Sequence, residues 1–274
     1  MKILINALLI FLPLHVIAQD EHAYQYTLIE GNRIAWSCEG EGAPTIALIA
    51  GGGLDAHTSF GRTYHNYDGP GTICLYERAG MGESTFEEPR TRTLEEQVDE
   101  LHKLSTIENW GEMVLVAHSY GGFIAREYAS EHPDNVLGMV LLDVAQEDWL
   151  PRLEETMSSE DWAIMESILD WNIDTFYEDF RQSQEVVRNS HINENLPITV
   201  VSRGIPHTTL RVAKISYDGV RKYNAEHDVA QLKLLELSTD SRHVIAEVSS
   251  HMIDDYDPWL VIEEITLMLE RVGN

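Results

Sequence analysis

Cysteine is nearly absent from this chain: Cys38 and Cys74 are the only two among 274 residues. Two are too few for a disulfide scaffold. Both fall in predicted strands, so an oxidising compartment would let them form one bridge, with a pair of buried free thiols as the alternative. The cysteines and the 12 histidines show no C-x-x-C, H-E-x-x-H or other metal spacing, so no metal site is expected. Cationic residues are also scarce, with 19 Lys and Arg against 46 Asp and Glu and a formal charge of −27. Such a field repels polyanions and argues against nucleic acid and anionic membranes as partners, although it also serves simply as a solvated surface. Beyond residue 18 no apolar run is long enough to span a bilayer, and internal repeats and low-complexity tracts are missing. A solenoid or a tandem of domains is thereby excluded.

What is present begins with Lys2 and an apolar run over residues 3–18, which ends Val16-Ile17-Ala18 before Gln19-Asp20. The run is short for a membrane span, contains Pro13 and His15, and lacks a basic flank after it. It reads as a secretory signal peptide cleaved after Ala18. The next residue is not cysteine, so no lipid anchor or other stable membrane attachment is expected. Residues 19–274 then form one domain in a secreted or periplasmic protein, one charge unit more negative than the full chain.

Residues 24–29 alternate apolar and polar side chains, Gly31-Asn32 supplies a turn, and 33–38 follows as a second short strand, which predicts a hairpin. Apolar strands are predicted at 45–50, 72–76, 113–117, 137–142, 198–201 and 244–248. Thr93 with Glu96 makes a capping box for an amphipathic helix carrying Leu94, Val98, Leu101 and Leu104 and ending near Trp110-Gly111. Asp257-Pro258 opens a last helix. Strands alternating with helices at this spacing predict a mostly parallel α/β sheet covered on both faces. Residues 145–195 break the rhythm with Trp149, Trp162, Trp171, Phe176, Tyr177 and Phe180 among many acids. They are expected to form an inserted helical cap over the carboxyl ends of the strands, or else a peripheral excursion that covers nothing.

The most informative segment is Val114-Leu115-Val116-Ala117-His118-Ser119-Tyr120-Gly121-Gly122. A buried strand runs into a serine with small residues two before and two after it, and a helix with small Gly121, Ala125 and Ala129 follows until His132-Pro133. This A-x-S-x-G layout is a variant of the G-x-S-x-G nucleophile elbow, in which a strained turn lifts the serine hydroxyl above the sheet. The loop Tyr76-Glu77-Arg78-Ala79-Gly80-Met81-Gly82-Glu83-Ser84 is similar to D-R-x-G-x-G-x-S with Glu77 in place of Asp, and Ser249-Ser250-His251 precedes the last helix as S-G-H does.

On these motifs the chain resembles the α/β-hydrolase superfamily from the hairpin to the last helix. The resemblance implies a mostly parallel eight-stranded sheet with an N-terminal antiparallel hairpin, and a site in the chain order serine, acid, histidine. Ser119 is then the nucleophile and His251 the base. The acid most often follows the strand matched by 198–201, but Ser202-Arg203-Gly204-Ile205-Pro206-His207 holds no carboxylate. A minority arrangement one strand earlier points to Asp143, with Asp218, Asp228 and Asp240 as alternatives. The oxyanion donors are expected to be the Tyr120 amide and the Gly52 amide, with Gly53 as the neighbouring alternative to Gly52. His118 is expected to face away from the hydroxyl as a support residue.

A serine at the elbow argues against the branches that need a carboxylate nucleophile, such as haloalkane dehalogenases and epoxide hydrolases. The expectation is an exported serine hydrolase of carboxylesterase type, cleaving a small, largely apolar ester or lactone through an acyl-enzyme that requires no cofactor. The alternatives are an amidase, peptidase or carbon–carbon bond hydrolase with the same machinery, or a noncatalytic binding protein on this fold.

Overall fold

The computed structural model describes residues 24–273. The expected signal peptide lies outside the described residues. Eight strands form one sheet: β1 (Gln25–Ile29), β2 (Asn32–Glu41), β3 (Thr45–Ile49), β4 (Gly71–Tyr76), β5 (Met113–His118), β6 (Val136–Leu142), β7 (Ile198–Arg203) and β8 (Ser241–Ala246). Their spatial order is β1-β2-β4-β3-β5-β6-β7-β8. The β1–β2 and β2–β4 pairs are antiparallel and all others parallel, which is the sheet implied by the resemblance.

β3 and β5 are buried at every position, as central parallel strands covered on both faces must be. One face is closed by α1 (Ala56–Asn66), the short α8 (Ile253–Tyr256) and α9 (Pro258–Val272), which bring Phe60, Ile253, Val261 and Ile265 onto Ile46, Val114 and Val140. The other is closed by α2 (Leu94–Ile107) and α3 (Gly121–Glu131), which bring Leu94, Val98 and Phe123 onto Ala47, Leu115 and Met139. The Thr93–Glu96 capping box is formed in full. Asp257 caps α9 by accepting from the Leu260 amide, with Pro258 in the first turn.

Several boundaries differ from the sequence reading: β2 runs on to Glu41 and β7 to Arg203, and α2 and β8 are displaced. α2 stops at Ile107, because Asn109 and Gly111 take up left-handed backbone and turn the chain into β5. β8 starts at Ser241 and ends at Ala246, three residues and two residues earlier than expected. It is an edge strand, and pairing of Ser241, Arg242 and His243 with Ile198, Thr199 and Val200 sets its limits, so apolar content was a poor guide.

Cys38 and Cys74 are bonded to each other, facing one another across the antiparallel β2–β4 pair. The link closes a loop of 36 residues in sequence separation. By loop entropy, replacing both with Ser should lower unfolding stability by roughly 3–4 kcal/mol. Urea unfolding of the double variant checks this, and an unchanged midpoint would remove the bond from any account of stability.

Above the carboxyl ends of the strands, α4 (Trp149–Thr156), α5 (Ser159–Phe176) and α6 (Phe180–Val187) lie within the segment expected as a cap. Together with a later helix, α7 (Tyr217–Lys233), they share an apolar cluster of Trp149, Leu153, Met165, Leu169, Val220 and Tyr223. The sequence reading gave α7 no role, although Ser216 caps it and Val220, Tyr223, His227 and Ala230 are buried along one face. None of the helices among the described residues is long and apolar enough to cross a membrane.

Candidate active site

Ser119 stands at the turn between β5 and α3 with φ of +52°, in the left-handed region that non-glycine residues avoid. The turn is held by the Ser119 amide donating to Leu142 O at 3.2 Å and by Ser119 O accepting from the amides of Gly122 and Ala145, each at 3.1 Å. It can be this tight only because Gly121 has no side chain: a Cβ there would run into the carbonyl oxygens of Ile49 and Ala50. Ala117, two residues before the serine, is fully buried in β5.

His251 follows β8 and brings its Nε2 to 3.0 Å from Ser119 Oγ. Its Nδ1 lies 2.6 Å from Asp143 Oδ2. Asp143 follows β6, is fully buried, and also has positive φ. Of the alternatives, Asp218 pairs with Arg221 and Lys222, Asp240 pairs with Arg271, and Asp228, on α7, makes no hydrogen bond to His251.

The place after β7 where a carboxylate was sought is occupied by its counter-charge. Arg203, at the end of β7, donates from Nη1 to Asp143 Oδ2 at 2.6 Å and from its amide to Asp143 Oδ1 at 3.1 Å. Both side chains are buried. Burial alone would push the Asp143 carboxyl up. Neighbouring His227, the His251 hydrogen bond and the Arg203 guanidinium reverse this and hold it well below the usual carboxylate range. Asn224 on α7 accepts from Arg203 Nη2 at 3.1 Å and fixes the fork.

Among the described residues, the backbone amides of Gly52 and Tyr120 beside Ser119 have no hydrogen-bond acceptor. The Tyr120 side chain is turned away, its hydroxyl bonded to Gln97 and Ser183. Gly52 lies so close to Tyr120 and to the Phe180 ring of α6 that a Cβ would approach each to 3.1 Å. Gly53, the alternative donor, is not free: its amide donates to Glu178 Oε2 at 2.8 Å. Glu178 also accepts from Arg78 Nε at 2.8 Å, while Arg78 holds the carbonyls of Ala50 and Gly51. The segment between α5 and α6 is thus tied by a buried ion pair to the loop that carries Gly52. Glu178 and Arg203 escaped the sequence reading. Glu178 is one acid among many, but an arginine standing where a carboxylate was expected was a usable signal.

His118 does not bond the Ser119 hydroxyl: its Nε2 lies 2.9 Å from the His251 carbonyl, and its ring packs edge-on against Phe60. Glu77, the departure from the usual Asp, accepts from the Ala56 amide at the start of α1 and from the Tyr24 hydroxyl, which is a structural role.

Burial pushes His118 and His227 down to about 3 and His207 down to about 4. An unfolded chain protonates these imidazoles near pH 6.5, whereas the folded protein does so only far below it. At these three sites the unfolded state therefore binds more protons between those limits, so they contribute a loss of stability as pH drops from about 6.5 toward 4, which the buried carboxyls of Glu77 and Glu100, pushed up by burial, partly offset. For His118 and His227, both deeply enclosed, the slope reaches about 1.4 kcal/mol per pH unit each. Urea midpoints at pH 7 and pH 5 check this, and equal midpoints would contradict it.

A cavity of about 220 Å³ adjoins Ser119, Asp143 and His251. Its other walls are mostly apolar, including Leu150, Met165, Ile168, Leu169, Phe180 and Leu210. The arrangement can activate a hydroxyl, stabilise an oxyanion and hold a small apolar group out of water.

The chain matches the sequence profile described as alpha/beta hydrolase fold over residues 72–197. It is 28% identical over 232 residues to the uncharacterised protein YqjL of Bacillus subtilis, covering 81% of this chain and 82% of that one. Among solved structures, a thermophilic esterase from Thermogutta terrifontis superposes with a TM-score of 0.60 at 16% identity, covering 92% of this chain and 100% of that chain. A serine hydrolase involved in carbazole degradation superposes at 0.57 and 14%, covering 91% and 99%.

Proposed function

Because the chain belongs to the α/β-hydrolase superfamily, we propose that it is a serine hydrolase cleaving a carboxylic ester or lactone of a small, largely apolar compound. The observation that carries this reading is the relay from Ser119 through His251 to Asp143, at 3.0 and 2.6 Å, beside two unpartnered amides.

In this mechanism His251 Nε2 takes the Ser119 proton as Oγ attacks the ester carbonyl, while Nδ1–H remains bonded to Asp143. Negative charge that develops on the carbonyl oxygen is met by the Gly52 and Tyr120 amides, the latter at the amino end of α3, where the helix dipole favours anions. Collapse transfers the proton to the leaving alcohol and leaves an ester on Ser119. Water, deprotonated by the same imidazole, then releases the acid. The largely apolar cavity wall favours an uncharged substrate, and the overall charge of −27 disfavours anions.

Two measurements test this. p-Nitrophenyl esters of graded acyl length should be hydrolysed, with the shorter chains preferred because the cavity is small. A fluorophosphonate should label wild type at one mole per mole and leave Ser119→Ala unlabelled. Folded wild type that is neither labelled nor active would end the enzyme reading and leave the fold as a binding scaffold.

Export belongs to the same proposal. It is supported by the leader-like residues 1–18 and by the Cys38–Cys74 bond, which suits an oxidising compartment. Amino-terminal sequencing of the protein recovered outside the cytoplasm should begin at Gln19; recovery of an uncleaved chain in the cytoplasm would refute export.

A further inference from the structure

Two side-chain oxygens in the wall of the cavity beside Ser119 have no hydrogen-bond partner among the described residues, Asn172 Oδ1 on α5 and Tyr223 Oη on α7. Asn172 Nδ2 donates to the Glu178 carbonyl at 2.8 Å. A carbonyl only accepts, so the amide cannot be turned round, and Oδ1 is the atom that Asn172 leaves without a donor. The segment that Glu178 ties to Arg78 therefore also fixes Asn172. The ring of Tyr223 is held edge-on against Trp149 and tilted against His207. Burial pushes its phenol up to about 12, so the hydroxyl keeps its proton at neutral pH. Neither oxygen is sealed off. The unpartnered atoms of this wall that are closed to solvent are Trp149 Nε1, His207 Nδ1 and His227 Nδ1, and the two oxygens are not among them.

A purely apolar chain laid over these two oxygens would strip their water and put nothing in its place, which is costly. A ligand that bonds them avoids that loss. Asn172 Oδ1 accepts and cannot donate, whereas Tyr223 Oη does either. A hydroxyl matches both, since it can donate to the first and accept from the second. An ammonium group only donates, and the cavity offers it no free counter-charge: Asp143, the acid in this wall, already accepts from His251 and Arg203. A ketone or ether oxygen only accepts, which leaves Asn172 unsatisfied.

We propose that the cavity takes an ester with a neutral hydroxyl on one of its chains, and that Asn172 and Tyr223 are the specificity-determining residues that recognise that hydroxyl. This deepens the serine hydrolase reading and rests on it for the identity of the reacting bond. No new covalent step is involved.

The test compares methyl hexanoate with its 3- and 6-hydroxy analogues, and butyl acetate with 3- and 4-hydroxybutyl acetate, each beside the matching methoxy compound, which accepts but cannot donate. At least one hydroxy ester should exceed its unsubstituted parent in kcat/KM by about 10-fold, mainly through KM, since a site built to bond a hydroxyl discriminates against its absence. The methoxy compound should show no such gain. In Tyr223→Phe, which loses no bond within the chain, and in Asn172→Leu, the ratio should fall by about 3-fold or more, roughly the worth of one neutral hydrogen bond. Calorimetry on Ser119→Ala, which binds without turnover, should show the same preference in Kd. No preference for any hydroxy ester in wild type, an equal preference for its methoxy counterpart, or a ratio that keeps its wild-type value in Tyr223→Phe overturns the inference. Failure of the serine hydrolase reading would look different: no Ser119-dependent turnover of any ester, with the Kd ratio on Ser119→Ala still deciding the role of the two oxygens.

Discussion

Exchanging Asp143 for Asn should lower kcat/KM by roughly 10³ to 10⁴-fold and destabilise the fold as well. One oxygen, Oδ2, accepts from both His251 Nδ1 and Arg203 Nη1. An amide can offer an oxygen to only part of this arrangement. If its NH₂ faces the imidazole, the proton moves to Nε2 and His251 can no longer take the proton of Ser119. The second consequence comes from Arg203, which would be left as an uncompensated buried cation at a cost of about 3–5 kcal/mol. The two effects separate in Asp143→Asn/Arg203→Met, where removing the stranded charge should restore most of the stability and none of the activity. Steady-state kinetics and urea unfolding on the three proteins read this out. Asp218→Asn and Asp240→Asn, whose carboxylates are paired elsewhere, should keep kcat/KM within about 2-fold, as surface ion pairs contribute little. An active Asp143→Asn would move the acid to another residue.

Glu178→Gln should reduce kcat by about 10 to 100-fold with a smaller effect on KM. Glu178 touches none of the reacting groups. It holds Arg78 and the Gly53 amide, and Arg78 in turn holds the carbonyls of Ala50 and Gly51. The loop that presents the Gly52 amide is therefore fixed from both sides by one ion pair, and an amide that drifts from the oxyanion costs more in the transition state than in substrate binding. The buried Arg78 would also lose its counter-charge, so unfolding stability should drop by about 3 kcal/mol or more. Unchanged kcat in a stable Glu178→Gln protein would show that the oxyanion loop stands without its partner across the cavity.

Some of this was legible in order and spacing alone. The elbow was visible because a turn that forces φ to +52° at Ser119 demands small neighbours, and Ala117, Gly121 and Gly122 announce that demand locally. The central strands were visible because burial on both faces leaves continuous apolar runs. β8 was misplaced because an edge strand is defined by its partner, and Ser241, Arg242 and His243 carry no apolar signature of their own.

The sequence by itself determined the order of the strands, the strained serine, and the small set of acids and histidines eligible to serve it. Only the tertiary structure chose among them. Asp143 meets His251 across 108 positions in the chain, Arg203 supplies the buried counter-charge from β7, and Gly53 loses its amide to Glu178 while Gly52 keeps its own. These choices depend on distances of about 3 Å between side chains on different strands, and on how buried each charge becomes. Local propensity and periodicity fix neither quantity, because both arise only when separate elements are packed into one sheet beneath one set of helices.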